Sequence, residues 1–199
     1  MSRPSIRRAL VAALATVASL PLAAGAASAA EVTVTDTRGD MWVTNPDITS
    51  DGPAYVKAPR STYGDFLRTT FAHTDKRVAV RAAFVELERT GGKYYFAMRM
   101  RDQDGKRHVV SVEATRNNRA GKALLETPGG REIDCPVARK IDYARNTVTV
   151  SFPRACINNP RWLQFTAANM RFAGGKGYID NPHDTKADPK AWTSRVRRG

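Results

Sequence analysis

The chain has 199 residues, 32 Lys and Arg against 19 Asp and Glu, a formal charge of +13, and two cysteines. That length suits one domain with a sizeable core, and the charge favours anionic partners such as nucleic acid, lipid head groups, wall polymers or acidic proteins. Two cysteines with no neighbouring histidine exclude a structural zinc site, which wants four ligands.

Residues 1–29 read as a signal peptide. Arg3, Arg7 and Arg8 form a basic start, "ALVAALATVASLPLAAGA" is an apolar run broken by Pro21, and "ASA" at 27–29 has the small-x-small pattern of a cleavage site. The run is Ala-rich and short of the ~20 strongly apolar residues of a membrane span, and no later segment is apolar enough to cross a bilayer. Secretion to the medium or cell envelope is expected. Removing these residues and their three arginines leaves 170 residues and lowers the charge to +10.

"EVTVTD" (31–36) opens a series of runs alternating with period two, the signature of half-buried strands. The stretch "TDTRGDMWVTNPDITSDGP" (35–53) follows it. Against the EF-hand pattern Asp36 takes position 1, but Arg38 falls at position 3 and Met41 stands where glycine is required, so it is not an EF-hand. Two readings of the loop remain open. Asp36 can cap an Asx-turn with Gly39 at positive φ. Alternatively Asp36, Asp40 and Asp65 hold calcium, with Asp47 or Asp51 folding back to supply further oxygens. The "RGD" at 38–40 is also an adhesion tripeptide, of a length that arises often by chance.

"FLRTTFAHT" (66–74) and "RVAVRAAFVEL" (77–87) continue the alternation. In the second, Val78, Val80, Ala82 and Phe84 point inward and Arg77 and Arg81 outward, and the parity change at Val85 and Leu87 predicts a bulge near Phe84. In "KYYFAMRMR" (93–101), Tyr94, Phe96, Met98 and Met100 face the core, and Tyr95, Arg99 and Arg101 face solvent. If these strands pair with each other and with "RHVVSVEAT" (107–115), one face carries Arg81, Arg99, Arg101 and Arg107 around Tyr95. Guanidiniums interleaved with an aromatic ring suit phosphates, bases or sugar rings, although arginines also serve simply to keep an outer sheet face wet.

"NTVTVSFP" (146–153) and "WLQFTAANMRF" (162–172) complete the runs, separated by turn chemistry such as "DQDG", "NNRAG", "TPGG" and "YARN". Cys135 and Cys156, 21 residues apart and bound for an oxidising compartment, are expected to form one disulfide beside the 146–153 strand. Short strands at regular spacing, with no long amphipathic helix, predict an all-β domain over 30–173, a two-sheet antiparallel β-sandwich of immunoglobulin-like or jelly-roll-like form. Residues 174–199 form a polar, basic tail, either without structure or laid along a sheet edge. Its Trp192, followed by Arg195, Arg197 and Arg198, suits contact with an anionic surface.

No catalytic residue emerges. There is no G-x-S-x-G elbow, H-E-x-x-H motif or glycine-rich phosphate loop. His73, His108 and His183 read as surface or half-buried residues, and Glu86 and Glu88 as a solvated strand end. Nothing resembles an RNA-recognition signature or a helix-turn-helix.

"TDTRGD", "GDFLRTTFAHTDKRVAVRAAFVEL" and "VSFPRACINNPRWLQF" together resemble a group of uncharacterised secreted actinobacterial proteins. The match is carried by Asp36, Gly39, Asp40, Asp65, His73, Pro153, Arg154, Cys156, Pro160 and Trp162, and brings no activity with it. More distantly, the layout resembles DOMON-type and family-nine carbohydrate-binding sandwiches, a likeness that implies sugar or haem binding. Met98, Met100 and His108 are axial-ligand types for haem, but alternating methionines on a strand read as core. The expectation is a monomeric, non-catalytic binding module for anionic polymers or glycans, with no cofactor other than possible calcium. A module for neutral glycans, or an enzyme or enzyme inhibitor, are the alternatives.

Overall fold

The computed structural model describes residues 30–45, 54–89, 92–183, 186–187 and 190–199. The proposed signal peptide, Asp47 and Asp51 lie outside them. The chain forms two antiparallel sheets packed face to face, with no α-helix among the described residues.

The first sheet has the order β1 (Ala30–Thr35), β4 (Phe66–His73), β5 (Arg77–Phe84), β10 (Thr147–Pro153), β9 (Ala138–Asp142). The second runs β3 (Tyr55–Lys57), β2 (Trp42–Thr44), β12 (Lys176–Asp180), β11 (Trp162–Ala173), β6 (Tyr94–Asp102), β7 (Arg107–Thr115), β8 (Asn118–Glu126), and the short β13 (Val196–Arg197) also pairs with β11.

Alternation assigns the faces as the sequence implies. Val78, Val80, Ala82 and Phe84 on β5, and Tyr94, Phe96, Met98 and Met100 on β6, are all buried in one continuous core. The two sheets meet through ring contacts: Phe71 of β4 stacks on Phe165 of β11 at 5.0 Å, and Phe66 lies 6.3 Å from Phe96. Offset and tilted ring pairs contribute beyond their area burial. The irregularity expected near Phe84 is present, but the extra residue belongs to the partner strand. Phe66 pairs with Phe84 and Arg68 with Ala83, so Leu67 is the bulged position.

A disulfide joins Cys135 to Cys156, with Cα atoms 6.0 Å apart. It ties the strap that crosses from β8 to β9, where Ile133, Cys135 and Val137 pack on the core, to a 3-10 turn (Arg154–Ile157) after β10. The 174–199 segment contributes β12 and β13 to the second sheet. His73, expected to be a surface or half-buried residue, is fully buried, and its Nδ1 lies 3.0 Å from the Val196 carbonyl oxygen of that segment.

Candidate functional site

Two constellations stand out, at different places on the molecule. The first is a group of aspartates where the two sheets come together. Asp36 follows β1, Asp40 precedes β2, Asp65 precedes β4, and Asp180 ends β12. One carboxylate oxygen each of Asp36, Asp40 and Asp180 lie within 4.8 Å of one another.

Backbone amides fix the arrangement. Thr37 N–H donates to Asp36 Oδ1 at 2.8 Å, Gly39 N–H to Asp65 Oδ2 at 2.9 Å, and Phe66 N–H to Asp180 Oδ2 at 2.7 Å. Gly39 has the expected positive φ, 82°, so the loop is indeed a tight turn. It is also a concentration of acid. Asp40 is 7% exposed, Asp65 0% and Asp180 1%. Burial first, then the charges of Asp40 and Asp65, push Asp36 up to about 7; burial and the neighbouring aspartates push Asp180 up to about 9. Burial also raises Asp40 and Asp65, opposed by Lys57 and by the Gly39 amide respectively. With its aspartate inside this group, the RGD tripeptide does not present the carboxylate that adhesion would need.

Asp36, Asp40 and Asp65 were legible as a group in the sequence; Asp180 was not. It lies 115 positions beyond Asp65 in a stretch that looks like tail, and only the β11–β12 pairing, which sets it opposite Asn169, brings it to the group.

The second constellation is on the outer face of the second sheet. β6 and β7 pair as expected, with Arg101 opposite Arg107, and Tyr95, Arg99 and Arg101 share the outward face. Arg81 does not join them. β5 pairs with β4 and β10, so Arg81 projects from the outer face of the other sheet. The parity change after Phe84 marks where the chain leaves the first sheet, and β6 begins in the second.

Tyr95, Arg99, Arg107 and His108 line a cleft of about 460 Å³, with Glu126 on the β8 side and Trp192 across its rim. Trp192 is held there by its neighbours. Thr193 N–H donates to the Phe165 carbonyl at 2.9 Å, Phe165 N–H donates to Thr193 Oγ1 at 3.0 Å, and Gln164 Nε2 donates to the Thr193 carbonyl at 2.9 Å. Arg101 donates to Gln164 Oε1 and lies 5.0 Å over the Trp192 ring, a cation–π contact. Among the described residues, neither Arg99 nor Arg107 has a carboxylate partner.

A more open cleft of about 530 Å³ is lined by Lys57, Arg60, Arg171 and Tyr178. Arg171 is already engaged there, 4.9 Å from the Tyr63 ring, 4.1 Å from the Tyr178 ring, and bonded to Ser61 Oγ. Of the haem-type residues, Met98 and Met100 are core and His108 sits at the end of β7, where burial holds its imidazole below its ordinary pKa.

Comparison with protein-family models and with curated proteins returned no match.

Proposed function

We propose that the protein is a secreted, non-catalytic binding module that holds an anionic polymer or glycan on the outer face of its second sheet. The observation that carries this reading is the convergence of Arg99 and Arg107, neither with a carboxylate partner among the described residues, with Tyr95 and Trp192 in one cleft. Arginine presents a planar fork that matches carboxylate, sulfate and phosphate oxygens, and the flanking rings offer stacking faces to a sugar. Glu126 on the β8 side repels anionic groups and so directs them to the arginine side. Export is supported by the 1–29 leader pattern and by the Cys135–Cys156 disulfide, a bond that persists in oxidising compartments.

Binding to heparin tests the proposal, because a polyanion neutralised by several arginines releases counterions and loses affinity as salt rises. The expected result is a loss of at least about tenfold between about 50 and about 200 mM salt. The Arg99→Ala/Arg107→Ala variant should bind at least about tenfold more weakly than the parent and show a shallower salt slope, by about one per arginine. Arg68→Ala/Arg81→Ala removes the same charge from the other sheet and is the control. Equal losses in the two variants would show that net charge alone drives binding. Tight, salt-independent binding to a neutral glycan would favour the carbohydrate-module alternative, in which Tyr95 and Trp192 do the holding.

A further inference from the structure

We infer that Asp36, Asp40 and Asp180 form a calcium site that staples the two sheets together at one end of the sandwich. The inference does not depend on the polyanion cleft.

Oxygens on opposite sides of a calcium ion stand about 5 Å apart, since each lies 2.3–2.6 Å from the metal. The three carboxylate oxygens, all within 4.8 Å of one another, therefore already fall inside one calcium coordination sphere. Calcium takes six to eight oxygens. Three aspartates supply up to six, and water fills what they leave.

The aspartates are more than an acidic surface cluster. Asp40 is 7% exposed, and neither of its carboxylate oxygens has a hydrogen-bond partner, although one of them faces Asp36 and Asp180 across the group. Asp65 Oδ1 and Asp36 Oδ2 are likewise buried and unpartnered. A buried carboxylate left without donors carries its full desolvation cost. The other Asp65 oxygen and one oxygen each of Asp36 and Asp180 are held by the Gly39, Thr37 and Phe66 amides. The side chains are thus oriented by donors at one side and lack them at the other, an arrangement suited to cation ligands. Asp65 acts as a positioning residue, since its bond to Gly39 shapes the 36–40 turn.

The position gives the ion its role. Asp36 and Asp65 belong to the ends of β1 and β4 in the first sheet, while Asp40 and Asp180 adjoin β2 and β12 in the second. The only covalent tie between distant segments, Cys135–Cys156, lies elsewhere in the chain. One ion joining the β1 end, the start of β2 and the end of β12 secures the β1–β2 connection, which otherwise brings like charges together.

Isothermal titration of EDTA-treated protein with calcium chloride, and separately with magnesium chloride, tests this, together with thermal unfolding. The parent should bind one calcium, more tightly than magnesium, and at a hundredfold excess over Kd its Tm should rise by about 5–10 °C. Asp40→Asn and Asp180→Asn should each bind calcium at least tenfold more weakly. Without metal they should melt at or above the parent's Tm, because an amide in place of a carboxyl adds no charge to the buried group and relieves like-charge crowding there. Asp104→Asn, in the turn between β6 and β7, should match the parent in both assays. Absence of saturable binding by the parent at millimolar calcium would overturn the inference, as would unchanged calcium affinity in folded Asp40→Asn and Asp180→Asn. If a variant does not fold, the parent titration decides: one calcium bound in preference to magnesium supports the site, and any other result refutes it.

Discussion

Replacing Thr193 by valine isolates the tether that holds the last segment of the chain across β11. Between its pairings with β13 at Trp162 and Leu163 and with β12 from Asn169 onward, β11 has an uncovered stretch on that side. Thr193 fills it as a strand residue would, its N–H serving the Phe165 carbonyl and its hydroxyl accepting the Phe165 N–H. Valine keeps the shape and the first bond but leaves the Phe165 N–H buried without a partner. Such a loss costs about 1–3 kcal/mol. In a chain of this size each kcal/mol moves Tm by about 2–4 °C, so a fall of roughly 2–12 °C is expected. Thermal unfolding followed by circular dichroism measures it, with the exposed Ser194→Ala as a control expected to change stability by less than about 0.5 kcal/mol. Because Thr193 also fixes Trp192 over Arg101, tryptophan emission should shift toward that of a more solvated ring. A Thr193→Val protein with parental Tm and emission would refute the tether.

Removing the disulfide with Cys135→Ala/Cys156→Ala frees a loop closed over a 21-residue separation and should cost about 3 kcal/mol by chain-entropy reasoning; an unchanged urea midpoint would contradict it. His73 supplies a pH test. Burial chiefly, with Arg154 and Arg198 adding to it and the Val196 carbonyl and Asp75 opposing, lowers its pKa below the ordinary value. The folded imidazole is therefore neutral where the unfolded one, near 6.5, begins to take a proton. Its contribution is complete above about pH 6.5 and is lost as pH falls through that value toward the folded pKa, at no more than about 1.4 kcal/mol per pH unit. The raised aspartates have the opposite sign, favouring the folded state as pH falls, but they do so equally in a His73→Gln variant. The stability difference between parent and variant should shrink between about pH 7 and about pH 5; a constant difference would place the titration elsewhere.

Strand legibility depended on whether local pattern and tertiary role agreed. β1, β4, β5, β6, β7, β10 and β11 were readable because each turns mainly one face to the core, so its large apolar residues recur at every second position. β8 was hidden by "NNRAG", which reads as a turn. Only Arg116 and Asn117 make the turn, and Gly121 lies inside the strand at φ 76°. A Cβ there would stand 2.9 Å from Val112 Cγ1, so the glycine answers close packing beside the irregular β7–β8 register rather than a chain reversal. β2, β3, β12 and β13 are too short to show a period, and β9 exposes its first three residues.

From the sequence alone came the two-sheet class, the inward set of β5 and β6, the disulfide and three of the four clustered aspartates, because each depends on local alternation, composition or short separation. Which strands share a sheet was beyond it, since period two says which way a side chain points from its own strand and nothing about the neighbour across the ladder. Arg81 accordingly parted from Arg99 and Arg101 when β5 paired with β10, and Asp180 joined Asp36 and Asp40 when β12 paired with β11. The last residues became part of the second sheet because the unfilled side of β11 leaves backbone groups that must find partners, and Thr193 and Val196 are the residues within reach.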